Sequence, residues 1–296
     1  MKNSKVLIVL AFIVIYVIWG STYLFNKIAV TELSPFFIAA IRFITAGILI
    51  IIIAKFLKAS LTITKKQFLN TIISGFLFLV YGNGVFVWAL KYVDSGFAAL
   101  LASTQPLFVL FLLRLIDRKP LQKKSIIGVI LGLVGMYLLV SQQEITTSKE
   151  SLLGIFMIFT CVFSWSYGSV FVSKADLPKN LLVSTGYQML TAGIMLAIAS
   201  LSFNEIWLSP LNWSFKICVS MFILIVFGGV IAFTSFNYLL KVVSPEKVST
   251  SAYVNPVVAL FLGWYILEEE LTAQSIIASI IILTGVYFIT SRKKYS

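Results

Sequence analysis

Apolar segments long enough to cross a bilayer recur along the whole chain, and they limit its fold more than any other feature. The hydrocarbon core of a membrane is about 30 Å thick, so a spanning helix needs roughly 20 apolar residues. The segments that approach this length are 6–27, 35–55, 68–90, 95–115, 124–141, 152–173, 180–200, 215–238, 245–267 and 273–290. The pattern predicts an all-α integral membrane protein with ten transmembrane helices.

The composition excludes a soluble globular domain. Hydrophobic residues make up 59% of the chain and charged residues 11%, whereas soluble domains carry about 25% charged residues. A chain this apolar lacks the polar side chains needed to cover its surface, so lipid must cover it instead. The bilayer is therefore an expected partner.

The charges predict the orientation. The net charge is +12, but the basic residues sit in short clusters between apolar runs, which is not the pattern of a nucleic-acid-binding face. With the N-terminus inside, 18 of the 23 cations fall on the cytoplasmic side and eight of the eleven acids outside, as the positive-inside rule requires. We expect a multi-pass protein of the inner or plasma membrane with both termini cytoplasmic, and no nucleic-acid partner.

The second half of the chain repeats the first. Residues 91–141 align with 241–291 at an offset of 150 without a gap. Apolar composition alone would not readily place proline, glycine and tyrosine in one register. The matched pairs include Pro106 with Pro256, Gly135 with Gly285, and Tyr137 with Tyr287; nearer the start of each half, Trp19-Gly20-Ser21 matches Tyr167-Gly168-Ser169.

The repeat predicts two units, 6–141 and 152–291, of five helices each. Because five is an odd number, the second unit must lie inverted in the membrane relative to the first. Inverted repeats are typical of alternating-access transporters, whose substrate site lies at the repeat interface near the midplane.

The motifs of the repeat resemble those of the EamA family, in the drug/metabolite transporter superfamily. They are Trp19-Gly20-Ser21, Ser34-Pro35, Ile41-Arg42-Phe43, Glu269-Glu270-Leu271-Thr272 and Gly285-Val286-Tyr287. The resemblance implies a ten-helix inverted-repeat fold, export of amino acids, related metabolites or drugs, and a central cavity lined by helices 1, 3, 4, 6, 8 and 9. One departure is that Lys119 and Pro120 align with Glu269 and Glu270, so the acidic element is one-sided.

Helices 4 and 9 each contain a proline near mid-span, at Pro106 and Pro256. Proline inside a helix frees a carbonyl, which in a membrane must face protein or a cavity. We interpret both prolines as hinge candidates; a packing kink is the alternative. Polar residues cluster at the same depth, and the candidates for substrate binding there are Ser103, Gln105, Tyr253 and Asn255.

Aromatic and polar residues on other helices are further candidates for lining a cavity. On helix 1, Trp19 and Tyr23 share a face, although such residues also form the aromatic belt at the membrane surface. Aromatic walls with a few polar groups suit a flat or amphipathic solute. The remaining candidates are Tyr81, Asn83 and Trp88 on helix 3, Trp165, Tyr167 and Ser169 on helix 6, and Asn237 and Tyr238 on helix 8.

Arg42 lies roughly two turns into helix 2 and is a charge within the membrane. Such a residue needs a partner. It either contacts an anion, together with Lys27, or it pairs inside the protein with helix-end carbonyls or with Glu32.

Several absences narrow the function. The sequence has no GxxxxGK[ST] loop, no His, no mid-span Asp or Glu, and no metal-ligand cluster around Cys161 and Cys218. We expect no cofactor, no metal and no catalytic residue. The chain is predicted to be a secondary transporter, an exporter of small metabolites such as amino acids by alternating access. A membrane-embedded enzyme or a sensor or scaffold is the alternative, and the oligomeric state stays open.

Overall fold

The computed structural model describes residues 2–89, 92, 95–118, 120, 122–141, 149–267 and 271–291. Within these residues the regular elements are helices. We number them α1 (Lys2–Ala29), α2 (Pro35–Phe56), α3 (Lys65–Ala89), α4 (Ser95–Ala102 and Gln105–Asp117), α5 (Lys123–Val140), α6 (Lys149–Val172), α7 (Leu181–Ser202), α8 (Phe215–Val242), α9 (Pro245–Val248 and Ser251–Leu267) and α10 (Ala273–Thr290).

The predicted segments all fold as helices, and the all-α membrane architecture is confirmed. Nine helices within the described residues are long and apolar enough to cross a membrane. The longer piece of α9 has 17 described residues, Ser251–Leu267, so the tenth span stays a prediction. The acids Glu268, Glu269 and Glu270 lie outside the described residues.

Helix starts are fixed by local polar groups. Thr64 forms a capping box with Gln67 at the start of α3, and Asn180 accepts backbone hydrogen bonds at the start of α7. At α2 the cap comes from a distant residue: the Glu205 carboxylate accepts from the backbone N–H groups of Phe36 at 3.2 Å and Phe37 at 2.8 Å. A negative charge at a helix N-terminus is stabilising, so Glu205 holds α2 in place.

The two halves pack with matching contacts. α2 packs against α7, and α5 against α10. Three further contacts in one half each have a counterpart in the other. The contact of α3 with α6 corresponds to that of α8 with α1, and the contact of α4 with α6 to that of α9 with α1. The contact of α3 with α7 corresponds to that of α8 with α2. Contacts that recur in this way are what a two-repeat fold requires.

Glycine allows the tightest of these contacts. A Cβ built at Gly128 of α5 would lie 2.6 Å from the Gly285 carbonyl oxygen of α10, so only glycine lets these helices approach so closely.

Both α3 and α8 change to a π-helix in mid-span. The π-helical segments are Phe76–Val85 and Leu224–Phe233, and each has 10 residues. They occupy equivalent positions in the two repeats. π-helical turns are uncommon and occur frequently at functional sites.

Candidate functional site

Five aromatic side chains meet between α1, α3, α6 and α8, and we call them the central aromatic cluster. Trp19 lies 5.0 Å from Phe236 and 5.8 Å from Trp165, measured between ring centroids. Phe78 lies 5.1 Å from Trp165 and contacts both Phe236 and Phe233. Phe78 lies near the middle of the span Lys65–Ala89.

The π-helical segments are bound to this cluster and to α6 through carbonyl groups. The Trp19 indole Nε1–H donates to the Gly228 carbonyl at 3.2 Å. On the other side, Ser164 donates to the Leu77 carbonyl at 2.9 Å and the Cys161 thiol to the Tyr81 carbonyl at 3.3 Å. Irregular helices are tolerated in a membrane only where such groups find partners within the protein.

Arg42 is buried beside the second π-helical segment. Its side chain is 6% exposed, and its guanidinium carbon lies 4.9 Å from the centroid of the Phe43 ring. Among the described residues the guanidinium has no hydrogen-bond partner, and its Nε is fully buried. A charged arginine at the centre of a span costs about 2.5–3.5 kcal/mol on insertion scales, so an unpaired one is unusual.

The neighbours of Arg42 connect it to the cluster. A Cβ built at Gly228 would lie 3.5 Å from Arg42 Nη2 and 3.1 Å from Thr22 Cγ2. Thr22 in turn donates to the Trp19 carbonyl at 2.7 Å. Arg42, Thr22 and Trp19 therefore converge on Gly228, and we call these four residues the Arg42 site.

The predicted internal partner of Arg42 is engaged elsewhere. The Glu32 carboxylate accepts a hydrogen bond from the Ser214 hydroxyl at 2.7 Å. The side chain of Lys27, the other residue named with Arg42, lies outside the described residues.

The predicted hinge prolines sit in different surroundings. Pro106 lies in the first turn of the second piece of α4, which begins at Gln105 after the break at Ser103 and Thr104, and there proline costs no helical hydrogen bond. Pro256 lies inside the helix Ser251–Leu267, and the break of α9 falls earlier, at 249–250. The two halves therefore bend at different residues.

Polar residues near these prolines lie on separate interfaces. Among the described residues, the buried amide nitrogen of Gln105 and the buried amide oxygen of Asn255 have no hydrogen-bond partner. Ser103 is buried and donates to the Leu100 carbonyl of its own helix. The Tyr253 ring covers Gly132 of α5, and its hydroxyl donates to the Val129 carbonyl.

The other predicted residues divide between the cluster and more distant places. Tyr238 packs against the hydrophobic core that contains the cluster, and Ser169 is buried and donates to the Trp165 carbonyl. Asn237 is buried in a network with Gln188 and Thr185 of α7.

Four further predicted residues do not join the cluster, and a fifth is not described. Trp88 contacts Phe36 at the start of α2 and Phe203 just after the end of α7. Tyr81 donates to Thr160, and Asn83 is half-buried in the π-helical segment. Tyr167 is 39% exposed and stacks on Phe171, because it lies on the face of α6 opposite Trp165. The side chain of Tyr23 lies outside the described residues.

Sequence reasoning missed Phe78, Phe233, Phe236 and Thr22. The chain has 25 phenylalanines, so no single one stands out by residue type. It also missed Glu246, a carboxylate that is 1% exposed at the start of α9. The glycines at 82, 84, 228 and 229 were the available signal for close contacts around the π-helical segments.

Comparison with known proteins agrees with the fold. The model of the EamA-like transporter family matches residues 6–141 and 152–291. The chain is 34% identical to the uncharacterized inner membrane transporter YedA of Escherichia coli K12 over 284 residues, which cover 96% of this chain and 90% of YedA. It is 22% identical to the uncharacterized transporter YoaV of Bacillus subtilis, covering 97% and 99%. A solved crystal structure with 20% identity superposes with a TM-score of 0.82 and covers 95% of this chain and 96% of that one.

Proposed function

Because this chain belongs to the EamA-like transporter family, we propose that it is a secondary transporter that exports small amphipathic metabolites by alternating access. The coarser statement, that it is a multi-pass membrane transporter, follows from the family and from its named relatives. The proposal adds the place of the substrate, the direction of transport and the class of solute.

The central aromatic cluster supports the place of the substrate. It is built from α1 and α3 of one repeat and α6 and α8 of the other, and inverted-repeat transporters bind their substrates at the repeat interface. Large aromatic surfaces with few polar groups suit a flat or amphipathic solute such as an amino acid. Within the structure, this cluster is the single observation that carries the proposed place and class of the substrate.

The π-helical segments support a moving site. Both border the cluster, and in each a carbonyl also accepts a hydrogen bond from a side chain of another helix, Trp19 for one and Ser164 for the other. Segments with two available hydrogen-bond patterns are suited to the rocking of one repeat against the other.

Flux in vesicles tests the proposal. We expect the purified full chain in liposomes to catalyse counterflow of at least one solute from a panel of labelled amino acids and analogues, chosen by a resistance screen in a sensitive host. Trp165→Ala should slow this flux severalfold because it removes the centre of the cluster. Trp264→Ala, which changes a 49% exposed tryptophan, is the matched control and should transport normally.

Two outcomes of this assay contradict the proposal. Absence of flux for every solute that the screen selects would favour an enzyme or a sensor, and equal flux in both tryptophan variants would remove the cluster from the pathway. The same vesicles test energy coupling: we expect downhill flux to persist without a proton gradient. If transport instead requires the gradient and Glu246→Gln abolishes it, the buried Glu246 carboxylate couples protons to transport.

We also propose that the protein lies in the inner or plasma membrane with both termini cytoplasmic. The charge distribution supports this orientation, and the relative YedA is named an inner membrane transporter. Reporter fusions after residues 60 and 296 should report the cytoplasm, and fusions after 146 and 206 the exterior. A C-terminus outside the cell would exclude the inverted arrangement.

A further inference from the structure

We propose that Arg42 binds the negatively charged group of the substrate, so that the transported solutes are small organic carboxylates whose apolar part contacts the central aromatic cluster. This inference rests on the proposed transport function and assigns the substrate class for the same site.

The described part of the protein does not neutralise the positive charge of Arg42. The side chain is 94% buried, as its 6% exposure shows, and among the described residues no carboxylate, carbonyl or hydroxyl accepts from it. The Phe43 ring covers one face of the guanidinium but accepts none of its five N–H donors. Buried cations are normally paired, so an anion from outside the protein would complete this site.

The two acids near the start of α2, Glu205 and Glu32, already have structural roles. Glu205 accepts from the backbone at Phe36 and Phe37 and from the Ser200 hydroxyl, and so fixes the helix that carries Arg42. Glu32 accepts from Ser214. The structure therefore positions Arg42 firmly without neutralising it, which is the arrangement of a preorganised binding group.

The position of Arg42 also fits this role. Arg42 lies seven residues after Pro35, about 10 Å into the helix at 1.5 Å per residue. It meets Trp19, a member of the central aromatic cluster, at Gly228. A solute resting its ring on the cluster can therefore direct a short acidic arm toward Arg42 once α1 and α8 separate, a movement that alternating access requires.

The chemistry of the site favours a carboxylate. The planar guanidinium fork matches the two oxygens of a carboxylate in a bidentate pair. The other side chains at Gly228, from Thr22 and Trp19, are neutral, so the site offers one positive charge to one negative charge.

Thermal unfolding of the purified full chain in lipid nanodiscs, without added solute, is the first test. If Arg42 has no partner in the protein, Arg42→Gln should unfold at the same temperature as the wild type or a higher one, because an uncompensated buried charge is removed. The matched control is Gln188→Leu, which removes a buried side chain that is hydrogen-bonded to Asn237 and should lower the midpoint. A fall of similar size in Arg42→Gln would show an internal partner and overturn the proposal.

The second test compares phenylacetate with its neutral isostere phenylacetamide as stabilising probes. We expect phenylacetate to raise the unfolding midpoint of the wild type at concentrations at least about tenfold lower than phenylacetamide, the scale of a charge-assisted hydrogen bond. Arg42→Gln should abolish this preference, and Arg42→Lys should keep part of it because the charge stays while the fork is lost. Equal responses of the wild type to the two probes, or a preference that survives in Arg42→Gln, would refute the proposal.

Counterflow separates this inference from the transport function. If the carboxylate preference is present but no solute moves in vesicles, the transport function fails and the anion-binding role of Arg42 stands. If solutes move, but the wild type shows no carboxylate preference and Arg42→Gln transports them with unchanged KM, the anion-binding role of Arg42 fails and the transport function stands.

Discussion

The π-helical segment of α3 and that of α8 occupy equivalent places in the two repeats, but different groups support them. Phe76–Val85 is held by a hydroxyl and a thiol of α6, from Ser164 and Cys161. Leu224–Phe233 is held by the Trp19 indole of α1 and lies beside the Arg42 guanidinium. The π-helical backbone geometry is repeated, whereas the positive charge of Arg42 lies beside the second segment only.

The space around Gly82 in the first π-helical segment also differs from that around Gly228 in the second. A Cβ built at Gly82 would lie 2.7 Å from the Leu77 carbonyl oxygen and 2.9 Å from the Trp165 ring. At Gly228 the nearest atoms are Thr22 Cγ2 at 3.1 Å and Arg42 Nη2 at 3.5 Å, both on side chains. The first π-helical segment is therefore tightly packed at Gly82. In the second, a Cβ at Gly228 would meet only side chains within 3.5 Å, one of them charged, whereas a Cβ at the adjacent Gly229 would lie 2.9 Å from Ala46 Cβ. We assign the polar chemistry of the site to the second segment.

The largest effect expected from this comparison is on stability. Gly82→Ala should destabilise the protein by about 1–3 kcal/mol, the usual cost of overpacking, because its Cβ would meet a backbone oxygen that cannot move independently. Gly228→Ala should cost clearly less, since the neighbouring side chains can shift. Thermal unfolding of both variants in nanodiscs measures the difference. Equal losses would mean that the two π-helical segments are equally packed and would break the comparison.

Removing a side chain that donates to a π-helical carbonyl should have a smaller effect, and this effect should be on transport. Trp19→Phe keeps an aromatic ring in the cluster but removes the hydrogen bond to Gly228, so flux at low solute concentration should fall severalfold. Ser164→Ala removes the corresponding support in α3 and should leave flux close to the wild type while lowering stability by about 0.6 kcal/mol, the average for a hydrogen bond between membrane helices.

Trp88→Phe is the matched control for Trp19→Phe, because Trp88 packs against Phe36 and Phe203 away from the cluster. Its flux should equal that of the wild type. If Ser164→Ala slows transport as much as Trp19→Phe does, the two halves contribute equally to the site, and the assignment of the polar chemistry to the second π-helical segment is wrong.

The sequence by itself determined the membrane architecture and the family. Apolar runs of spanning length must become helices in lipid because every backbone group there needs an internal partner, so segments such as 35–55 and 124–141 were predicted within a few residues. The repeat was equally visible, since proline, glycine and tyrosine recur at one offset. Arg42 stood out because a charge within an apolar run is costly and therefore rare.

Only the tertiary structure decided which side chains meet. Trp19 and Trp165 were candidates, but their phenylalanine partners could not be told from the other phenylalanines, because hydrophobic contact depends on position and not on a distinctive residue type. The π-helical segments were likewise hidden, since an apolar run does not show which turns carry i→i+5 hydrogen bonds. The burial of Glu246, the outward direction of Tyr167 and the lack of a partner for Arg42 among the described residues arise from how distant helices pack, which a local pattern does not encode.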